Sequence, residues 1–213
     1  MTISHKDVKQ ALFAVFDGAL AEHGFERFDD KKWIDSSAAP IRRMIQINFL
    51  KGATVYPCPC FSLDFVPHES GARLRWHRTP KSAMLDVSLD PMDFGPNPSK
   101  YHMRYLFGPP GELKLRRVAK DVIRDFVPLL NRVTTIADMV PVVERLKAYH
   151  ARRFGFYNYV QHPIAAAFIY AKLGQEDLAR EELAKWSPLD NLLIADRKRL
   201  DRLFEDALQE GRT

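Results

Sequence analysis

Cysteine is nearly absent from this chain of 213 residues, which holds two. Both sit in the triplet Cys58-Pro59-Cys60, where a bond between them would close a small, strained ring that an extended strand does not favour. No disulfide framework organises the fold. Long apolar runs are missing too, since the longest, Ile164 to Ala171, falls far short of the roughly 20 residues that span a bilayer. Met1 to Gln10 carries His5, Lys6, Asp7 and Lys9 and no apolar stretch behind a basic start, which reads against a signal peptide. The expectation is a cytoplasmic protein with no membrane partner. The ten glycines stand singly at turns and caps, with no Gly-x-Gly-x-x-Gly or Walker loop to cradle a phosphate and no Gly-x-Ser-x-Gly elbow to raise a nucleophile. No cofactor is expected from such a pattern.

What is present is a pair of alternating stretches, Ile41 to Lys51 and Cys58 to Val66. Successive side chains of a strand point to opposite faces, so Ile45, Ile47 and Phe49 share one face, and Phe61, Leu63 and Phe65 share one in the second run. That side of the hairpin needs a cover. Met44, Gln46, Asn48, Ser62 and Asp64 fall on the other side, which suits water or a partner surface.

The cover is foreshadowed at the N-terminus. Ser4-His5-Lys6-Asp7 has a capping-box pattern, and Val8, Leu12, Val15 with Phe16, and Ala19 follow as the stripe of an amphipathic helix. Gly24 ends it with a left-handed C-cap, behind which Phe25 folds back. A short hairpin around Asp29-Asp30-Lys31 and a turn over Ser36 to Pro40 lead into the central strand. Arg73 to His77, Met84 to Leu89 and His102 to Phe107 add strands, and Pro91 to Pro98 holds too many breakers for a regular element. From Glu112 onward the pattern is helical: Leu115, Val118, Val122 with Ile123, and Phe126 form a stripe broken at Pro128. Asp138 is placed to cap the next helix, with Val142, Val143, Leu146 and Tyr149 facing inward. Three short helices close the chain: Pro163 to Leu173, Glu176 to Trp186, and Leu192 to Leu208 behind a capping-box pattern at Ser187 to Asp190. Gly174, Ala179 and Leu183 have the spacing of a tetratricopeptide helix hairpin, in one copy, which cannot stack as a solenoid.

Gly24-Phe25-Glu26-Arg27, Trp33, Gln46-Ile47-Asn48-Phe49-Leu50-Lys51 and the alternating Phe61 to Phe65 together resemble a bacterial family known as domain of unknown function 4304. The likeness covers roughly residues 5 to 66, with a looser echo in the helices after Thr135. It implies an α+β domain with a helix against a meander sheet, and it brings no activity, cofactor or catalytic residue. The fold class expected is therefore α+β: an N-terminal helix packed on an antiparallel sheet of roughly five to seven strands, followed by an all-helical part. The division falls at 1–111 and 112–213.

Candidate chemistry is thin. Cys58, Cys60, His68 and His77 are ligand types within a short stretch, but a single residue between the thiols is too tight for the usual zinc knuckle, so no metal is expected. Asp64 with Gln46 and Asn48, approached by His102, is the one active-site constellation that can be drawn, and solvation of an outer sheet face predicts the same residues. Arg117, Lys120 and Arg124 fall on one helical face with Asp121 and Asp125 near by, a solvated face or a phosphate track. Arg152 and Arg153 lead an aromatic stretch with Tyr157 that suits an interface, a base-stacking platform or an internal plug. The net charge of +5 is spread evenly, with 14 basic against 12 acidic residues in 1–111 and 18 against 15 in 112–213. The function expected is a noncatalytic protein-interaction module of the kind that binds and neutralises another bacterial protein. The alternatives are a nucleic-acid-associated protein using the basic helix and the Arg152 to Tyr159 segment, or an enzyme centred on Asp64 and His102.

Overall fold

The computed structural model describes residues 5–76, 79–89, 98–106, 108–150, 162–186, 189 and 191–213. The fold is α+β. Helix α1 (His5–Ala21) is followed by strands β1 (Glu26–Arg27), β2 (Lys32–Asp35), β3 (Ile41–Leu50) and β4 (Thr54–Leu63), then by β5 (His68–Glu69), β6 (Leu74–Arg75), β7 (Val87–Ser88) and β8 (Met103–Arg104). The rest is helical: α2 (Glu112–Asp125), α3 (Val127–Asn131), α4 (Met139–His150), α5 (His162–Lys172), α6 (Glu176–Ala184) and α7 (Ile194–Arg212). One sheet runs in the order β1-β2-β3-β4-β7 with β8 also on β4, and β5 pairs with β6 alone. Ser4, Ser187 and Asp190, expected in capping boxes, lie outside the described residues, as do His77 and the proline-rich stretch 90–97.

Two compact units emerge from the packing, and they interleave in sequence. The first comprises residues 1–37, 42–60 and 88–132, the second 38–41, 61–87 and 133–213. The change of character at residue 112 is a different division, because α2 packs on α1 within the first unit.

In the first unit α1 buries Val8, Leu12, Phe16 and Leu20. Its end is a Schellman turn: Gly24 takes a φ of +82°, the Phe25 amide donates to Leu20 O at 3.2 Å and the Gly24 amide to Ala21 O at 3.0 Å. The helix is fastened to the sheet by Asp17, whose Oδ1 accepts from the Trp33 indole at 2.8 Å and from Arg27 Nε at 3.0 Å. Trp33 stands opposite Ile45 in the β2–β3 ladder, and the Phe16 ring lies 5.7 Å from its own. At the helix start the His5 ring meets Phe49 at 4.8 Å. The face carrying Ile45, Ile47 and Phe49 is thus the one α1 covers, as the alternation predicts. Side chains of this size contribute about 1.5–3 kcal/mol each when fully buried.

The other face differs from expectation. Met44 and Ser62 are fully buried, and Gln46, Asn48 and Asp64 are half-buried rather than open to water. Ile34 pairs opposite Met44 and is equally buried, and Arg42, two residues before Met44, is buried as well. Alternating polarity reports which side chains share a face, not whether that face is wet. The middle of this sheet is covered on both sides, and its charges need partners. Arg43 stands opposite Asp35 in the ladder and bonds its Oδ2 at 2.8 Å, with Asn131 Oδ1 of α3 at 3.3 Å from the same nitrogen.

In the second unit α5 is the core. Every residue from Ile164 to Ala171 is buried, so the helix is apolar all round and is enclosed by α4, α6 and α7. Asp138 stands immediately before α4, where a cap is expected, but its carboxylate bonds backwards into the preceding turn. Its Oδ2 accepts from the amides of Thr134 and Thr135 at 2.9 and 2.8 Å, while Thr135 Oγ1 accepts from the Asp138 amide at 3.3 Å. Thr135 and Asp138 thus form a reciprocal box around the turn that leads into α4. Where α5 ends and α7 closes, backbone meets backbone: a Cβ on Gly211 would lie 2.2 Å from Ala171 O and 2.6 Å from Gly174 N.

Two outcomes follow from these contacts. Gly211→Ala should destabilise the protein by about 1–3 kcal/mol through overpacking, whereas Gly18→Ala, with nothing within 4 Å in the last turn of α1, should stabilise it by about 0.5–1 kcal/mol. Denaturant unfolding of both variants checks the sign, and an equal effect of both would refute the close approach. The amide bonds from Thr134 and Thr135 lower Asp138 from 3.8 to about 2. A carboxylate lowered on folding stabilises the native state above its unfolded pKa and loses that contribution as pH falls through the folded one. Asp138→Asn should therefore melt below the wild type at pH 6, with the gap closing towards pH 2. A gap independent of pH would show the carboxylate to be idle.

Candidate functional site

Helix α2 forms because Leu115, Val118, Ala119 and Val122 recur along one side and find α1. Its opposite side is therefore solvent-facing, and Arg116, Arg117, Lys120 and Arg124 are exposed there. Leu113 lies four residues before Arg117, so Leu113, Arg117, Lys120 and Arg124 follow one another at i, i+4, i+7 and i+11, a stripe about 16 Å long. Leu113 is 86% exposed, more than any other large apolar residue described.

The charges on this helix are not equivalent. Arg116 pairs with Glu112 at 2.6 Å one turn back. Asp121, which the spacing offers to Arg117, goes instead to Arg124 at 2.7 Å, and Arg124 also grips Asp125 at 2.8 Å. Arg117 and Lys120 have no ion pair among the described residues. Residues 98–132 carry eight Lys and Arg against three Asp and Glu. A count split at residue 111 divides this segment and hides the concentration. The sequence signal for Leu113 was its phase: it shares the face of the three cations and not that of Leu115, Val118 and Val122.

At the C-terminal end of α2 a second group of polar side chains is fully committed. Asp125 Oδ2 accepts from Tyr101 Oη and Lys100 Nζ, each at 2.7 Å, while Lys114 Nζ donates to Lys100 O at 3.2 Å. The Tyr101 ring lies 4.6 Å from that of Phe126. These bonds latch the 3-10 turn Pro98–Tyr101 onto the helix. The Arg124 bonds, followed by those of Lys100 and Tyr101, overcome burial and hold Asp125 well below the ordinary carboxylate range. Burial, reinforced by the Asp125 carboxylate, pushes the Tyr101 phenol far above its usual value.

The second unit has a comparable network. Tyr170 donates to Glu144 Oε1, Lys147 reaches Glu144 at 2.8 Å and the buried Glu182 at 2.9 Å, and Lys185 meets Glu182 at 3.0 Å. This network joins α4, α5 and α6. Burial and then the Glu144 bond push Tyr170 up to about 12. For Lys147 burial works against the charge, but Glu144 and Glu182 outweigh it and hold its pKa above the lysine range. In each case the group is driven further into its ordinary neutral-pH form. A general acid or base working at neutral pH is tuned the other way.

The remaining predicted residues fall apart into separate settings. Gln46 Nε2 donates to Asn48 Oδ1 at 3.0 Å, which pairs the two side chains with each other. Asp64 lies in the turn after β4, its amide on Pro40 O at 3.0 Å, in the second unit. His102 belongs to the first unit, its ring 5.3 Å from Tyr56. Arg152, Arg153 and Tyr157 lie outside the described residues. Cys58 and Cys60 are buried free thiols: Cys58 Sγ donates to Leu89 O at 3.2 Å and Cys60 Sγ to Met44 O at 3.5 Å. Among the described residues no group of three or more His, Cys, Asp and Glu could hold a metal ion, and no helix is long and apolar enough to cross a membrane. No family model, curated protein or solved structure matches this chain.

The two bonded phenols give a direct optical test. Tyr101 and Tyr170 should ionise above the usual tyrosine range, so Tyr101→Phe and Tyr170→Phe should leave the phenolate absorbance at about 295 nm unchanged up to about pH 10.5 and reduce only the later rise. Loss of early absorbance in either variant would mean that its phenol is poised for proton transfer.

Proposed function

We propose that this chain is a noncatalytic protein-interaction module that holds another protein through the exposed side of α2. The observation that carries the reading is the stripe Leu113, Arg117 and Lys120: one apolar side chain 86% exposed and two cations with no ion pair among the described residues. Elsewhere on the helix the charges are used internally, by Glu112, Asp121 and Asp125. Interfaces are built from side chains that folding leaves uncommitted, with a large apolar or aromatic anchor and a polar rim. The direction in which Asp125, Tyr101, Lys147 and Tyr170 are shifted supports a binding role over acid–base catalysis. Cytoplasmic residence belongs to the same proposal, supported by two cysteines kept as free thiols.

A second reading, association with nucleic acid, draws on the eight basic residues of 98–132. The two separate in one experiment. Tagged full-length protein, recovered from cells that express it naturally and treated with nuclease, should retain a protein partner in stoichiometric amount. Leu113→Ser with Arg117→Glu and Lys120→Glu should lose that partner while keeping the wild-type circular dichroism and melting temperature. Material released by nuclease, with no protein left behind, would overturn the first reading in favour of the second.

A further inference from the structure

We infer that the partner of α2 presents an acidic amphipathic helix, with carboxylates against Arg117 and Lys120 and an apolar side chain against Leu113. This rests on the reading of the chain as a binding module and adds the chemistry of what it binds. Cations separated by three residues lie along one side of a helix, where a second helix aligned with it offers glutamates at the matching three- and four-residue spacing. Leu113, one turn N-terminal to Arg117, supplies the apolar contact that such a face needs to set register. Arg124 closes the far end of the stripe: bound to Asp121 at 2.7 Å and Asp125 at 2.8 Å, its guanidinium is fixed and its charge already answered.

The same details speak against a phosphate backbone. A duplex presents a negative charge about every 1.7 Å along its axis, and its attraction grows with each uncommitted cation that meets it. This stripe offers two such cations, followed by two carboxylates beside Arg124, and it begins with a leucine that a phosphate cannot use. An acidic helix with one apolar anchor uses all three uncommitted side chains and approaches Asp121 and Asp125 only at its end.

The test takes the full chain and two synthetic probes. One is an amphipathic helical peptide with glutamates at i, i+3, i+4 and i+7 beside a leucine, with a glutamine counterpart; the other is a short random-sequence DNA duplex. Titration calorimetry should show the glutamate peptide binding about tenfold more tightly than the glutamine one, a gain that shrinks with added salt. Leu113→Ser should weaken it about fivefold, and Arg117→Glu with Lys120→Glu about tenfold or more. The charge-reversed protein should instead take up a peptide with lysines in place of the glutamates, which guards against a folding defect as the cause. Binding of the duplex with unchanged affinity after Leu113→Ser, or binding of neither probe, would overturn the inference. A stoichiometric partner recovered equally by the wild type and the triple variant would leave the binding module standing and remove only this surface and its acidic ligand.

Discussion

A sheet covered on both sides must neutralise its own charges, and in this protein that burden falls on Asp35 and Arg43. They face each other across β2 and β3, buried, at 2.8 Å. A buried ion pair adds little by itself, because desolvation offsets the attraction; removing one partner is what costs, about 3–5 kcal/mol, since the other is stranded. The pair therefore acts as a register pin. A slip of β2 by one residue would put Ile34 opposite Arg43 and leave a carboxylate alone in the core. Asn131 and Ser37 satisfy further donor capacity of Arg43, so the pin also fastens β3 to the C-terminal end of the α2–α3 arm.

The same economy of charge governs the helices. Asp17, Asp125, Glu144 and Glu182 each accept more than one hydrogen bond or ion pair, joining elements that apolar packing has brought together. Carboxylates shared in this way turn a contact into a fixed distance. On α2 the pairing stops at Arg117 and Lys120, the two cations on which the proposed interface rests.

Much of the fold could be read from the sequence because period is a geometric signal. The α1 stripe, the Gly24 stop, the hairpin at Asp29 to Lys31, the strand β3 and the interruption at Pro128 appear where alternation, helical phase and turn residues put them, whereas β4, expected over Cys58 to Val66, runs from Thr54 to Leu63 and leaves Asp64 to Val66 in the turn beyond it. Burial of the second sheet face was not legible, since Met44 and Ser62 sit at polar-phase positions and only tertiary packing decides whether that face meets water. Asp138 stands at the head of α4 as expected, and what helical phase could not tell is that its carboxylate bonds back to Thr134 and Thr135. The Tyr101–Asp125 and Glu144–Tyr170 bonds join residues 24 and 26 apart in sequence, and no local rule reaches so far. The basic face of α2 was visible, and its apolar end was passed over because Leu113 lies out of phase with the buried leucine beside it.

The seam between α5 and α7 has a further meaning. At Gly211 the approach of Ala171 O leaves no room for a side chain, so the spacing of the two helices there is set by main-chain atoms alone. Side chains can trade volume with their neighbours; peptide groups cannot. The separation of α5 and α7 at this point is therefore fixed by peptide geometry, and repacking of side chains along the rest of α7 leaves it unchanged.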